Sequence, residues 1–175
     1  MNIETKVDKA TFNTNFSVLK VETSGSPKFF DITDQVTNLV NLSGISNGIV
    51  CVFSQHTTAA VVIQENEPLL MTDLSSFIER LAPKGAHYRH NDFHVRTVHM
   101  HEDECPNGHS HCQNLVLGTS ESIPISDSKI VLGQWQRIFV IELDSVAQSM
   151  TDHYPLIGNI ILPEMCYVET TLYAY

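Results

Sequence analysis

The sequence predicts one α+β domain, and three observations predict it. Short β-branched segments bounded by turn-type residues recur along the chain. Two stretches with helical periodicity interrupt them. The chain has 175 residues, 42% of them hydrophobic and 17% charged, which is one domain's worth and enough to bury roughly 70% of the unfolded surface without staples.

Strands are expected over residues 17–22 (SVLKVE), 49–53 (IVCVF), 59–63 (AAVVI), 130–132, 138–143 (IFVIEL) and 167–175. IVCVF and IFVIEL are nearly continuous apolar runs, as in strands covered on both faces, whereas the last segment alternates. A first helix is expected over about 32–42, with Asp31 as N-cap, Asp34 facing the orphan N–H groups and Gly44 as the stop. Val36, Leu39 and Val40 give it an inward stripe. A second helix is expected over about 68–81, opened by Pro68 and ended by Pro83 and Gly85. Leu70, Leu74, Phe77, Ile78 and Leu81 form its apolar face. Residues 132–137, with Trp135, read as a tight hairpin between the KIVL and RIFVIEL segments.

Charge and composition narrow the function. The formal net charge is −10, from 20 acidic and 10 basic side chains, which argues against a nucleic-acid or anionic-membrane surface held by Lys and Arg. No apolar run approaches the ~20 residues of a membrane span. The opening MNIETKVDKATFNTNF has no basic and apolar leader pattern. A cytoplasmic setting with Cys51, Cys105, Cys112 and Cys166 reduced is therefore expected.

Histidine is the unusual residue: seven of nine fall between His87 and His111. Imidazole ligates zinc and titrates near neutrality, so the cluster points to a metal site or proton transfer. Periodicity disappears over about 84–110, a length that in a compact domain marks a functional or disordered loop. His109 and His111 would share a face on a strand, and either could reach a metal from a turn. His90 with Asp92, and His99 with His101, are further groups; Cys105, His109, His111 and Cys112 have knot-like composition but no CxxC pair. His87, His94, His99, His101 and His153 read as solvated loop residues. His56 sits where one apolar strand turns into another, as a site residue or as a core-edge histidine bonded to Thr57 or Thr58. Glu65 and Glu67 flank Asn66 before the second helix, with Asp73 farther along it. Glu67 or Asn66 can cap that helix, or the helix N-terminus can bind anions or position an acid or base.

Taken in order, Gln55-His56-Thr57-Thr58-Ala59-Ala60, Glu65-Asn66-Glu67, Asp73, Tyr88-Arg89-His90-Asn91, Asn107-Gly108-His109-Ser110-His111, Leu117-Gly118-Thr119-Ser120, Ile123-Pro124-Ile125 and Leu132-Gly133-Gln134-Trp135-Gln136 resemble the YjbQ family, also described as secondary thiamine-phosphate synthase proteins. The resemblance implies a compact α+β domain on a jelly-roll-like β-sandwich with two helices packed on it, a homotrimer, and a metal-associated cleft. By position it makes His56, His90, His109 and His111 the metal ligands, with Glu67 and Asp73 as the catalytic acidic groups. Imidazole-rich ligation implies a divalent metal of the zinc type rather than magnesium. Two departures stand out. The family's Gly-Thr-Trp-Gln reads Gly133-Gln134-Trp135-Gln136, and its arginine-bearing segment is replaced over 144–150, followed by an insertion over about 151–164.

Three functions compete on this reading. The resemblance implies thiamine-phosphate synthase chemistry, joining a pyrimidine diphosphate to a thiazole phosphate with release of diphosphate. Metal-assisted hydrolysis needs only imidazoles and an open metal position. A trimeric metal- or small-ligand-binding protein needs no reaction.

Overall fold

A computed structural model describes residues 14–21, 23, 25–100, 104–144 and 166–174. In chain order the elements are β1 (Thr14–Val21), β2 (Lys28–Asp31), α1 (Thr33–Ser43), β3 (Gly48–Ser54), β4 (Ala59–Glu65), α2 (Pro68–Leu81), a 3-10 turn (Arg89–Asn91), α3 (Gly108–Leu117), β5 (Ser120–Ser126), β6 (Lys129–Ile130), β7 (Gln136–Glu142) and β8 (Cys166–Ala174). The fold is α+β with antiparallel sheets. One sheet has the order β1-β8-β3-β5-β6 and the other β2-β7-β4.

The two sheets face one core. Val50, Val52, Ile123 and Ile125 from the first meet Ala59, Val61, Ile138 and Val140 from the second, and α1 adds Val36 and Val40. Each such buried aliphatic side chain contributes about 1.5–3 kcal/mol relative to exposure. The strand period of two sends Phe139, Ile141 and Leu143 to the opposite face, where they pack with Ala60 and with Ile78 of α2. IFVIEL is thus covered on both faces, as its composition predicts. IVCVF is not: Val50 and Val52 are buried, but Phe53 is exposed among the described residues.

Both expected helices form. α1 stops at Gly44, whose φ of +70° is the left-handed conformation that glycine adopts freely. The assigned cap position is Ile32, yet Asp31 does the capping work, accepting from Thr33 N at 3.0 Å and Thr33 Oγ1 at 2.7 Å. α2 begins at Pro68 with Glu67 as N-cap. Three expectations need correction. A third helix, α3, closes the aperiodic stretch, so three helices rather than two pack on the sheets among the described residues. Residues 132–137 are not a hairpin, because β6 pairs with β5 in one sheet and β7 with β2 and β4 in the other. Trp135 is 64% exposed rather than covering the core edge. The expected insertion over 151–164 and the replaced segment beyond Asp144 lie outside the described residues.

Candidate functional site

The site forms where the chain crosses between sheets. β3 ends at Ser54, whose N–H donates to Thr119 O at 2.8 Å, and its Oγ accepts from His56 N at 3.3 Å. The turn bearing His56 then enters β4 of the other sheet. In register, Ala59 of β4 lies opposite Glu142, the last residue of β7, and Leu143 N donates to Thr58 O at 3.1 Å. His56, Glu142 and Asp144 are thereby gathered at one end of the fold.

α3 is fastened to that end by polar side chains. Ser110 Oγ donates to Leu143 O at 2.6 Å, Asn114 Nδ2 to Ala59 O at 2.7 Å, and Gln113 Nε2 to Ala82 O at 2.9 Å and Ile78 O at 3.3 Å. At its start Asn107 Nδ2 donates to Asp144 Oδ2 at 2.9 Å. Gly108 N donates to Asn91 Oδ1 at 2.9 Å and docks the 3-10 turn. That docking requires glycine, since a Cβ at 108 would stand 2.5 Å from Tyr88 Cβ. The result brings the imidazoles of His90 and His111 to 4.6 Å between centroids, at 69°.

His109 and His111 part company on this helix. Residues two apart on a helix point to different sides, so neither the shared face of a strand nor a turn applies. His111 meets His90, while His109 is 2% exposed and lies beside Tyr88, centroids 6.4 Å apart. The expected ligand His109 is therefore not brought to the imidazole pair. Nor are the expected catalytic carboxylates. β4 has seven residues, about 20 Å of strand, and Glu67 lies beyond its far end from His56. Both Glu67 oxygens are engaged, accepting from Leu69 N at 2.9 Å and Leu70 N at 2.7 Å, and these two bonds hold its carboxyl below the ordinary range. Asp73 is exposed midway along α2. Asp92 pairs with His87 at 2.9 Å rather than with His90. His94 and His99 are exposed as expected, and His101 and His153 lie outside the described residues.

Charge in the site is tuned in opposite directions. Burial lowers the pKa of His111, with His90 and Arg96 adding to the shift against Asp144 and Glu104. Burial likewise lowers His109, assisted by Lys84. Burial raises that of Glu142, which is 8% exposed, against the N–H of Asp144 and the nearby His56. A lowered imidazole pKa favours the form that presents a lone pair, and a raised carboxyl pKa favours the form that can donate a proton. Arg96 Nη1 donates to His90 Nε2 at 3.1 Å and ion-pairs with Glu104.

Glu142, Arg96 and Glu104 are not among the site residues expected from sequence, and Asn107 and Asp144 enter there only as parts of longer segments. Glu142 carried a signal, an acidic residue closing an apolar strand. Arg96 and Glu104 carried none, because their meeting depends on how the loop folds.

The model of the YjbQ family, described as UPF0047 protein YjbQ-like, matches residues 17–152. The chain belongs to the YjbQ family. A UPF0047 relative from Methanothermobacter thermautotrophicus is 38% identical over 126 residues, 72% of this chain and 80% of its own. The UPF0047 protein YjbQ of Escherichia coli O157:H7 is 29% identical over 116 residues, 65% of this chain and 77% of its own. Among solved structures, a YbjQ-like protein of unknown function from Sulfolobus solfataricus P2 superposes with a TM-score of 0.74 at 29% identity, covering 94% of this chain and all of that one.

His56, His90 and His111 carry imidazoles, and Asp144 Oδ1 is a buried carboxylate oxygen with no hydrogen-bond partner among the described residues. Among the described residues no three His, Cys, Asp or Glu side chains are already arranged to hold a metal ion. Among them, too, no helix is long and apolar enough to cross a membrane.

Proposed function

We propose that the chain binds a divalent metal, zinc by its imidazole-rich donors, through His56, His90 and His111 with Asp144 beside them. The observation that carries this is the His90–His111 pair, two half-buried imidazoles 4.6 Å apart. The lowered pKa of His111 favours the unprotonated form that a metal needs.

On this reading the protein is a transferase of the thiamine-phosphate synthase type, joining a pyrimidine diphosphate to a thiazole phosphate. The metal, when bound, would neutralise charge developing on the diphosphate. Burial favours the protonated form of Glu142 near His56, and α3 fixes His111 against the 3-10 turn, so the chain's own contribution is chiefly orientation. Glu67 caps α2 and Asp73 faces solvent, so acid–base work falls to Glu142 in their place. The two sheets over one core are read as a β-sandwich of the jelly-roll type. A homotrimer, expected from the family, would use the outer face of the larger sheet, where Phe16, Val18 and Phe53 are exposed. A cytoplasmic setting completes the reading.

Metal-assisted hydrolysis is the second reading, and charge favours it: Arg96, the guanidinium beside the imidazoles, is already tied to Glu104. The test is release of diphosphate from the two phosphorylated substrates by purified protein, with and without chelator. Chelator-sensitive release supports the transferase. Chelator-sensitive cleavage of simple phosphoesters without coupling favours the hydrolase, and no turnover on either leaves a trimeric binding protein.

A further inference from the structure

Arg96 and Glu104 make opposite demands on one nitrogen, Nε2 of His90. A guanidinium is permanently charged and can only donate, and Arg96 Nη1 stands 3.1 Å from Nε2. A hydrogen on Nε2 would point at the hydrogens of Nη1, so the contact needs the lone pair there and places the ring hydrogen on Nδ1. Glu104 Oε1 is an acceptor and would favour the reverse, a hydrogen on Nε2. It stands 3.6 Å away, beyond hydrogen-bond distance, and is itself paired with Arg96. Distance and the ion pair both decide for Arg96.

The guanidinium is also held in place from its other sides. Its Nε donates to Val98 O at 3.3 Å, Nη1 to His90 O at 3.4 Å and Nη2 to His99 O. The Arg96 and Glu104 side chains are 13% and 14% exposed, so water competes weakly for these bonds.

We propose that Arg96 is a positioning residue that fixes His90 as its Nδ1–H tautomer, the one that free histidine disfavours. The inference goes beyond the metal reading and does not rest on it, because it describes the metal-free chain. It also sets what His90 offers a bound molecule. With Nε2 taken by Arg96, the neutral ring presents an N–H at Nδ1, which suits an acceptor such as an anionic oxygen rather than a donor.

The test is nitrogen NMR of the isotope-labelled, metal-free full chain in mildly alkaline buffer, which reads the hydrogen-bearing nitrogen of each neutral imidazole; a His90→Gln spectrum assigns the His90 signals. Nδ1–H is expected for His90 in the natural protein. A switch to predominantly Nε2–H is expected in Arg96→Met, where Glu104 is left as the neighbour of that nitrogen. A merely structural role for Arg96 would lower stability without moving the ring hydrogen. Nε2–H on His90 in the natural protein overturns the proposal with no variant needed, and Nδ1–H kept by a folded Arg96→Met variant overturns it as well. Zinc uptake bears on neither result, so the metal reading stands or falls separately.

Discussion

His90 and His111, twenty-one residues apart in sequence, stand edge to face with ring centroids 4.6 Å apart. One sits on a three-residue 3-10 turn and the other on the first turn and a half of α3. Neither element packs against the other through an apolar ridge. Their approach is set by Gly108, whose N–H binds Asn91 and whose missing Cβ admits Tyr88.

Gly108→Ala should therefore separate the pair. The added methyl would overlap Tyr88 Cβ at 2.5 Å and Cγ at 2.9 Å, and the side chain cannot yield at its own Cβ without moving the backbone. A loss of about 1–3 kcal/mol is expected from overpacking, read by urea denaturation, together with weakened zinc binding. Unchanged zinc affinity would show that the 3-10 turn does not set the site.

The pH dependence of the metal-free protein follows from His111. Its pKa is lowered by burial, then by His90, so the unfolded chain takes up the proton first. Stability is then lost as pH falls through the ordinary value of 6.5. His90→Ala removes one lowering cause and should raise the His111 pKa, measured by NMR titration. Glu142 acts with the opposite sign: its pKa is raised, so its contribution is present below the ordinary 4.5 and lost as pH rises through the folded value.

Gln113 should prove structural rather than catalytic. It is 2% exposed and its amide donates to the carbonyls of Ile78 and Ala82 at the end of α2. Gln113→Leu keeps bulk but leaves those acceptors unpaired, a cost of about 1–3 kcal/mol. The denaturation midpoint should fall while zinc affinity stays within a factor of about two.

The same residue explains what was legible in the sequence. α1 and α2 are readable because their signals are local: Gly44 turns left-handed after the last helical residue, and Glu67 and Pro68 open α2. α3 buries His109, Ser110, Gln113 and Asn114 and holds them by hydrogen bonds to carbonyls, so hydrophobic periodicity has nothing to report. β5 alternates, with Ile123 and Ile125 inward, but its serines and Pro124 weaken the strand signal, and it is not among the expected strands. β6 and β7 look like a hairpin because local pattern does not reveal that neighbours belong to different sheets. His56, His90 and His111 were nameable from motif resemblance. That Glu67 caps a helix at the other end of β4, and that Arg96 and Glu104 meet beside His90, are long-range outcomes of the fold.

The metal content of untagged protein, measured by elemental mass spectrometry after zinc loading and dialysis, tests the central claim most directly. Close to one zinc per chain is expected, lost in His90→Ala and in His111→Ala and retained in His109→Gln. Protein that retains no zinc, or that retains it undiminished without His90 and His111, would contradict it.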